Sequence, residues 1–286
     1  MSKIVVSVIG AAGKMGTRVT NNLAKHLDRI ELLFCETSAT GIASIKARGF
    51  DTVAAEAAVP RSDIVVLAVP DVVIKQVSVG IVKMMRPGAT LIILDPAAAV
   101  AKELALRDDC TFVVTHPCHP SWFLDQETPE ARRDYFGGIA GKQDIVMALI
   151  QGDDSKFGDA RSISEWMFAP VANSYVMTLR QMAFLEPTLV EILGASTLYA
   201  MAETVDEAER RGISRDAAIS FLSGHIGILS AVFLGKIPNG QVSDACKVAI
   251  GLGNRLVLRD DWKRIWEDDV LDKAIDTMLH PDNPKI

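Results

Sequence analysis

A chain of 286 residues has room for about two domains of ~150 residues each, and its 49% hydrophobic and 23% charged content lies in the range of packed globular proteins. Thirty basic against 36 acidic side chains give a formal charge of −6, which argues against the basic face that nucleic acid or an anionic membrane requires and favours a small-molecule partner. The 20 glycines and 12 prolines are dispersed, so no linker-like or collagen-like tract is available to carry function.

Short apolar runs at 4–9, 31–36, 63–69, 90–95, 111–116, 145–150 and 171–178 alternate with helix-period segments such as 14–27 and 72–85. Alternation of this kind predicts βαβ units around a parallel sheet buried on both faces, a Rossmann-type doubly wound α/β domain over residues 1–178. Arg86-Pro87-Gly88 stops the second of those helices. Beyond Thr178 the strand signals end. Met182, Leu185, Leu189, Ile192, Leu198 and Met201 recur at helical spacing over 179–211, where Pro187 is expected to bend the helix or break its ladder. Ser214 and Ser243 serve as N-caps for helices ending at Gly235 and near Arg259, and a last helix covers 262–279.

Residues 179–286 therefore read as an all-α substrate and dimerisation domain, because their apolar faces exceed what one thin domain can bury; a homodimer is expected. Cys35, Cys110, Cys118 and Cys246 show no C-x-x-C pair or framework spacing, and Met1 leads into a strand without a leader pattern. The apolar stretches at 64–69 and 226–234 fall short of the ~20 residues of a membrane span. A cytoplasmic protein with no membrane partner is expected.

Gly10-Ala11-Ala12-Gly13-Lys14-Met15-Gly16 follows a strand of Val and Ile and opens a helix. Small residues there let the backbone approach a pyrophosphate, and the helix N-terminus offers N–H groups and a positive dipole end. Glu36 lies twenty positions past Gly16 and suits the adenosine ribose hydroxyls. Its carboxylate would repel a 2′-phosphate, so NAD is expected over NADP. Val69-Pro70-Asp71 and Asp95-Pro96-Ala97 end the next two strands, the edge of an open sheet where ligand lies, and both turns are expected to flank the nicotinamide half of the cofactor. A proline that stops the strand and an aspartate that caps a helix account for the same residues.

Chemistry concentrates at Val114-Thr115-His116-Pro117-Cys118-His119-Pro120-Ser121-Trp122-Phe123. His116, directly beyond a buried strand, can act as general base during hydride transfer or as a metal ligand through neutral imidazole. Glu186 interrupts an apolar face, where a carboxylate needs a cation or a hydroxyl partner. His225 and Lys247 also sit in apolar helical surroundings, as candidates for the cleft or a dimer contact.

On the glycine fingerprint, Val69-Pro70-Asp71, the His116-Pro117 turn and the helical second half, the whole chain resembles the β-hydroxyacid and 6-phosphogluconate dehydrogenase superfamily. More narrowly it is similar to the bacterial group with a phosphogluconate-dehydrogenase-type C-terminal domain that includes D-apionate oxidoisomerases. The superfamily's usual catalytic helix carries a lysine and, four residues on, an asparagine; here it reads Leu179-Arg180-Gln181-Met182-Ala183-Phe184-Leu185-Glu186, without lysine. That departure speaks against lysine-assisted 3-hydroxyacid oxidation and fits the narrower group, in which His116 and Glu186 match a divalent-metal pair for Zn, Mn or Mg.

The resemblance implies NAD-dependent oxidation of the 2-hydroxyl of an anionic branched sugar acid, D-apionate, with metal-assisted ketol rearrangement to 3-oxo-isoapionate, a step of carbohydrate catabolism. His116, Glu186 and Lys247 are the candidate catalytic residues, and Arg180 or Lys247 with a bound cation would offset the substrate's charge. Two alternatives remain at this stage. A prephenate-dehydrogenase-like enzyme shares the His-Pro turn, but that family's serine-and-lysine turn is here Asp95-Pro96-Ala97-Ala98-Ala99. The other is an NAD-binding protein without turnover. Dihydrodipicolinate reductases have a similar glycine loop, but their histidine-rich catalytic segment is absent here.

Overall fold

The computed structural model describes residues 3–282 and divides them into two compact units, Met1–Phe184 with Asp272–Ile286, and Leu185–Leu271. Seven strands form the sheet of the first unit: β1 (Ile4–Ile9), β2 (Ile30–Cys35), β3 (Ile64–Leu67), β4 (Thr90–Ile93), β5 (Thr111–Pro117), β6 (Gln143–Gln151) and β7 (Val171–Val176). Helices α1 (Lys14–Leu23), α2 (Ala39–Ala47), α3 (Ala55–Ala58), α4 (Asp71–Met84), α5 (Ala97–Val100), α6 (Pro129–Arg133), α7 (Asp154–Met167) and α8 (Leu179–Ala183) lie in the same stretch of chain. The sheet runs β2-β1-β3-β4-β5-β6-β7. β1 to β5 are parallel, and their branched side chains Val6, Val8, Val66, Ile92 and Val113 are buried in the core, as a sheet covered on both faces demands.

The chain turns from one side of β1 to the other between β2 and β3. Such a switch point opens a crevice beyond the carboxyl ends of the two central strands, and it is here that the glycine fingerprint sits. The expected all-parallel sheet ends at β5, because β6 returns antiparallel to it. A parallel neighbour requires a crossover of a dozen or more residues, usually a helix packed on the sheet; residues 118–142 instead form an excursion with only the single turn of α6. β7 then pairs parallel with β6. It stops at Val176, short of the expected 178, because Thr178 is the N-cap of α8, its hydroxyl accepting the Gln181 N–H at 3.2 Å and the Gln181 side chain accepting the Thr178 N–H.

Buried Asn22 ties the excursion to the Rossmann core: its amide NH2 lies 2.9, 3.1 and 3.2 Å from the carbonyls of Gly138, Met167 and Ala169. Helix α12 (Asp268–Leu279) closes this unit with Ile275 and Leu279 buried and Arg180 paired to Asp272 at 2.6 Å.

In the second unit the segment around Pro187 is wound as a π-helix (Phe184–Ala195) before α9 (Ser196–Arg210). Proline lacks an N–H and its ring crowds the carbonyl four residues back, and a wider i→i+5 winding relieves that crowding, so the expected break takes the form of a change in winding. α10 (Arg215–Phe233) and α11 (Asp244–Val257) begin at the expected caps, the Ser214 and Ser243 hydroxyls accepting the Ala217 and Cys246 N–H groups. The last expected helix is split into a 3-10 turn (Trp262–Trp266) and α12. With 19 residues and a mean hydropathy of 1.5, α10 has the length and composition of a membrane span, a property hidden in the sequence because serines, glycines and His225 interrupt its apolar run.

Asn22→Ala leaves buried carbonyl acceptors unsatisfied at a cost of about 2 kcal/mol, so the urea midpoint should fall at constant slope; an unchanged midpoint would show that Asn22 does not anchor the excursion.

Candidate functional site

The dinucleotide cleft is built by three strand ends. β1 ends in Gly10, whose φ of +78° and 2.6 Å separation between a would-be Cβ and the Ala68 carbonyl oxygen leave room only for glycine. A Cβ on Gly16 would overlap the Gly10 carbonyl, so that glycine lets α1 pack directly on the loop. Gly13 is the N-cap of α1, with no side-chain cap and no acidic residue in the first turn. The first N–H groups of α1 are therefore left for a ligand, and an anion is the fitting one.

The resulting cleft of about 750 Å³ is lined by Gly10, Ala12, Gly13, Glu36, Val69 and Pro70 among others. Its size is within the ~300–1,000 Å³ typical of small-molecule sites, and the bare helix terminus fits a dinucleotide. Of the remaining cofactor candidates, Ala11 is buried beneath the loop, Lys14 and Met15 begin α1, and Asp71 begins α4 behind Pro70.

Glu36, half-buried, closes β2 on the cleft. Oε1 accepts the N–H groups of Thr37 and Ser38 at 2.9 Å each and the Ser38 hydroxyl at 3.0 Å, while Oε2 accepts the Ala12 N–H at 3.2 Å. Burial pushes the carboxyl up, but the bonds from Ser38, Thr37 and Ala12 outweigh it and hold the group below the usual carboxylate range. Glu36 is thus ionised, and it ties the end of β2 to the glycine loop, a second role that the spacing to Gly16 could not reveal.

The reaction end of the same sheet edge is formed by β4 and β5. His116 Nδ1 lies 2.7 Å from the Leu94 carbonyl; a carbonyl only accepts, so Nδ1 carries the proton and Nε2 is the nitrogen that would take a cation. Burial pushes the imidazole pKa down, the Leu94 bond and the Asp95 charge push it back up, and His119 pushes it down again, with a net lowering. Neutral imidazole is the form that ligates metal.

Asp95, in the turn after β4, offers a carboxylate oxygen within 4.8 Å of the His116 ligand atom, while its Oδ1 accepts the Ala97 N–H at 2.7 Å and caps α5. A nitrogen and a carboxylate oxygen at this spacing fit a divalent cation. The sequence places Asp95 only in a turn expected beside the nicotinamide; its closeness to His116 depends on strand order, which brings the ends of β4 and β5 side by side.

Cys118 does not join this chemistry: its thiol is pushed up to about 11 by burial and by Asp144, which disfavours thiolate. His119 occupies the left-handed region at φ 60°, its Nδ1 2.9 Å from the Phe136 carbonyl. Asp134 accepts the N–H groups of Ile139, Ala140 and Gly141 at 2.9–3.1 Å. Burial raises its pKa, but those bonds and the Arg18 charge outweigh it and lower it overall.

Glu186 falls in the π-helical first turns of the second unit, one residue past its start. Lys247 lies on α11 with Nζ 2.9 Å from Asp244, and His225 Nδ1 is 2.7 Å from the Phe221 carbonyl on α10.

A Rossmann sheet with a dinucleotide cleft, an imidazole–carboxylate donor pair on the same edge and a helical second half define a dinucleotide-dependent oxidoreductase. Residues 124–279 match the family model of the phosphogluconate dehydrogenase (decarboxylating) C-terminal domain. The chain is 64% identical over its full length, and that of its relative, to a D-apionate oxidoisomerase of Blautia hydrogenotrophica. It is 42% identical to one from Cupriavidus necator, over 94% of this chain and 97% of that one. A crystal structure of a semialdehyde dehydrogenase NAD-binding protein from Cupriavidus necator, in complex with calcium and NAD, superposes with a TM-score of 0.93 at 41% identity, covering 97% of this chain and all of that one. The chain belongs to the D-apionate oxidoisomerase family, within the phosphogluconate-dehydrogenase-like superfamily.

Two outcomes follow for this unit. Glu36→Ala should raise the dissociation constant for NAD by about tenfold or more, as loss of a charged hydrogen-bonding group does, while affecting NADP less; titration of both cofactors by fluorescence checks it, and an unchanged preference would remove Glu36 from the ribose site. Because the Asp134 pKa is lowered in the folded protein, its contribution is complete above the unfolded value of about 3.9 and is lost as pH falls through the folded one. Asp134→Asn should therefore flatten the loss of stability on the acid side of pH ~4, measured as urea midpoints against pH.

Proposed function

We propose that this protein is an NAD-dependent oxidoisomerase that oxidises the 2-hydroxyl of D-apionate and completes a ketol rearrangement to 3-oxo-isoapionate. The carrying observation is the pairing of Asp95 with His116 as candidate cation ligands at one sheet edge, on a chain whose relatives across its length are D-apionate oxidoisomerases and whose structural relative was crystallised with calcium and NAD.

In the oxidation the C2 hydride passes to the nicotinamide and the hydroxyl proton to a base, leaving a 2-oxo acid beside a tertiary alcohol. A hydroxymethyl group then migrates from C3 to C2 as the C3 hydroxyl becomes the new ketone. A divalent cation, when bound, would supply Lewis acidity, a role that side chains fill poorly. Neutral His116, oriented by the Leu94 carbonyl, would hold it through Nε2, with Asp95 and Glu186 as carboxylate ligands. The N-terminus of α1 receives the pyrophosphate, Glu36 the ribose, and Val69 and Pro70 bound the nicotinamide side.

The protein acts as a homodimer through the second unit. α10 and α11 bury none of their described side chains within the single chain, and Phe221, Phe233, Val248, Leu256 and Val257 are exposed on them. Apolar surface on this scale marks an interface, and a second copy brings the same faces in self-complementary form.

Incubation with NAD and D-apionate should produce NADH absorbance, abolished by a chelator and restored by divalent metal, with the rearranged skeleton visible by NMR. An oxidised but unrearranged product would reduce the activity to a plain dehydrogenase, and chelator-insensitive turnover would remove the cation. Sedimentation should return twice the chain mass; a monomer, or association only with lipid vesicles, would refute the dimer.

A further inference from the structure

If His116 gives Nε2 to a cation and its Nδ1–H to Leu94, it has no lone pair left for a proton, yet each hydride removed from a secondary alcohol leaves one hydroxyl proton to be taken up. We propose that His119 is the catalytic base that accepts this proton, a role resting on the functional reading above. His119 stands three residues beyond His116 on the same turn, at the carboxyl edge of the sheet that also carries the glycine loop, and the two rings meet edge to face with centroids 6.3 Å apart.

Its tautomer is set as that of His116 is: Nδ1 donates to the Phe136 carbonyl at 2.9 Å, so Nε2 carries the lone pair. Nε2 makes no hydrogen bond to the described residues, and the side chain is exposed. One imidazole half-buried and tied to the sheet, the other exposed and tied to a loop, divide the work of ligand and base.

Several contacts hold the second ring in place. Histidine at φ 60°, directly before Pro120, is a disfavoured backbone state for a non-glycine residue, and such states persist where surrounding contacts over-determine them. Phe136 meets the His119 ring edge to face at 5.9 Å. Lys14 and Arg18 of α1 lie over the Phe136 ring at 4.1 and 4.6 Å, Asp134 gathers the loop's N–H groups, and Asn22 binds the Gly138 carbonyl. Lys14 belongs to the glycine fingerprint, so the imidazole is braced against the helix that receives the dinucleotide.

In the proposed step the C2–H bond breaks with its electron pair moving to the nicotinamide of NAD, the O–H bond breaks toward Nε2 of His119, and C2 becomes a carbonyl. The imidazolium then returns its proton to solvent.

The test uses wild type, His119→Asn, which tolerates the left-handed backbone, and His119→Gly. For His119→Asn, kcat for NADH formation from D-apionate should fall by about 100-fold or more, the usual worth of a general base, with metal content and NAD affinity within about twofold of wild type. His119→Gly should regain turnover with added imidazole, and 15N NMR of wild type should show His119 as the Nδ1–H tautomer. A His119→Asn kcat within about threefold of wild type overturns the role, as do loss of metal in step with loss of activity, absence of imidazole rescue, or an Nε2–H tautomer. A wild type that forms no NADH would instead overturn the functional reading, and the base with it.

Discussion

The hydrogen bond from His116 Nδ1–H to the Leu94 carbonyl, 2.7 Å long, is the interaction on which the reaction end of this protein turns. It joins the ends of two adjacent parallel strands, and it can form only because β4 and β5 run in register, with Ile93 opposite Val114. One bond fixes the tautomer and the ring orientation, and directs Nε2 away from the sheet toward ligand. Burial favours the uncharged ring and agrees with it. The same parallel register brings Gly10, Ala68, Asp95 and His116 to one edge, so the glycine loop and the imidazole–carboxylate pair share a rim without any long-range device.

The antiparallel return of β6 gives that rim its outer wall. A helical crossover would have carried residues 118–142 to a face of the sheet. The excursion instead stays at the carboxyl edge, where Asp134 gathers its N–H groups and Asn22 anchors it to α1. One of its aromatic residues, Phe136, is placed between the cations of α1 and the ring of His119. A segment with little regular structure is held by buried polar contacts, which are directional and therefore position its carbonyls closely.

Local chemistry made much of this legible in the sequence. Gly16 needs a small side chain because of the loop just before it, Gly10 turns with a positive φ, Ser214 and Ser243 cap the helices they precede, and the strand runs are apolar because both faces are covered. Local chemistry is silent where distant residues decide the outcome. Asp95 accepts the Ala97 N–H at the start of α5, as its turn suggests, but its nearness to His116 depends on which strand lies beside β4. Nothing in residues 118–142 announces that Phe136 will meet Lys14. Pro187 announces a disturbance, but not that a π winding over Phe184–Ala195 resolves it.

By itself the sequence determined the alternation of strands and helices, the glycine loop with Glu36 at the end of the second strand, the chemical weight of the His116–Pro120 turn and the helical character of the second half, because each is set by periodicity or by contacts between near neighbours. Strand order and direction belong to the tertiary structure, and with them the pairing of Asp95 with His116, the antiparallel wall and the bracing of His119. Those features join residues tens of positions apart, and only the burial of a common sheet selects which of them meet.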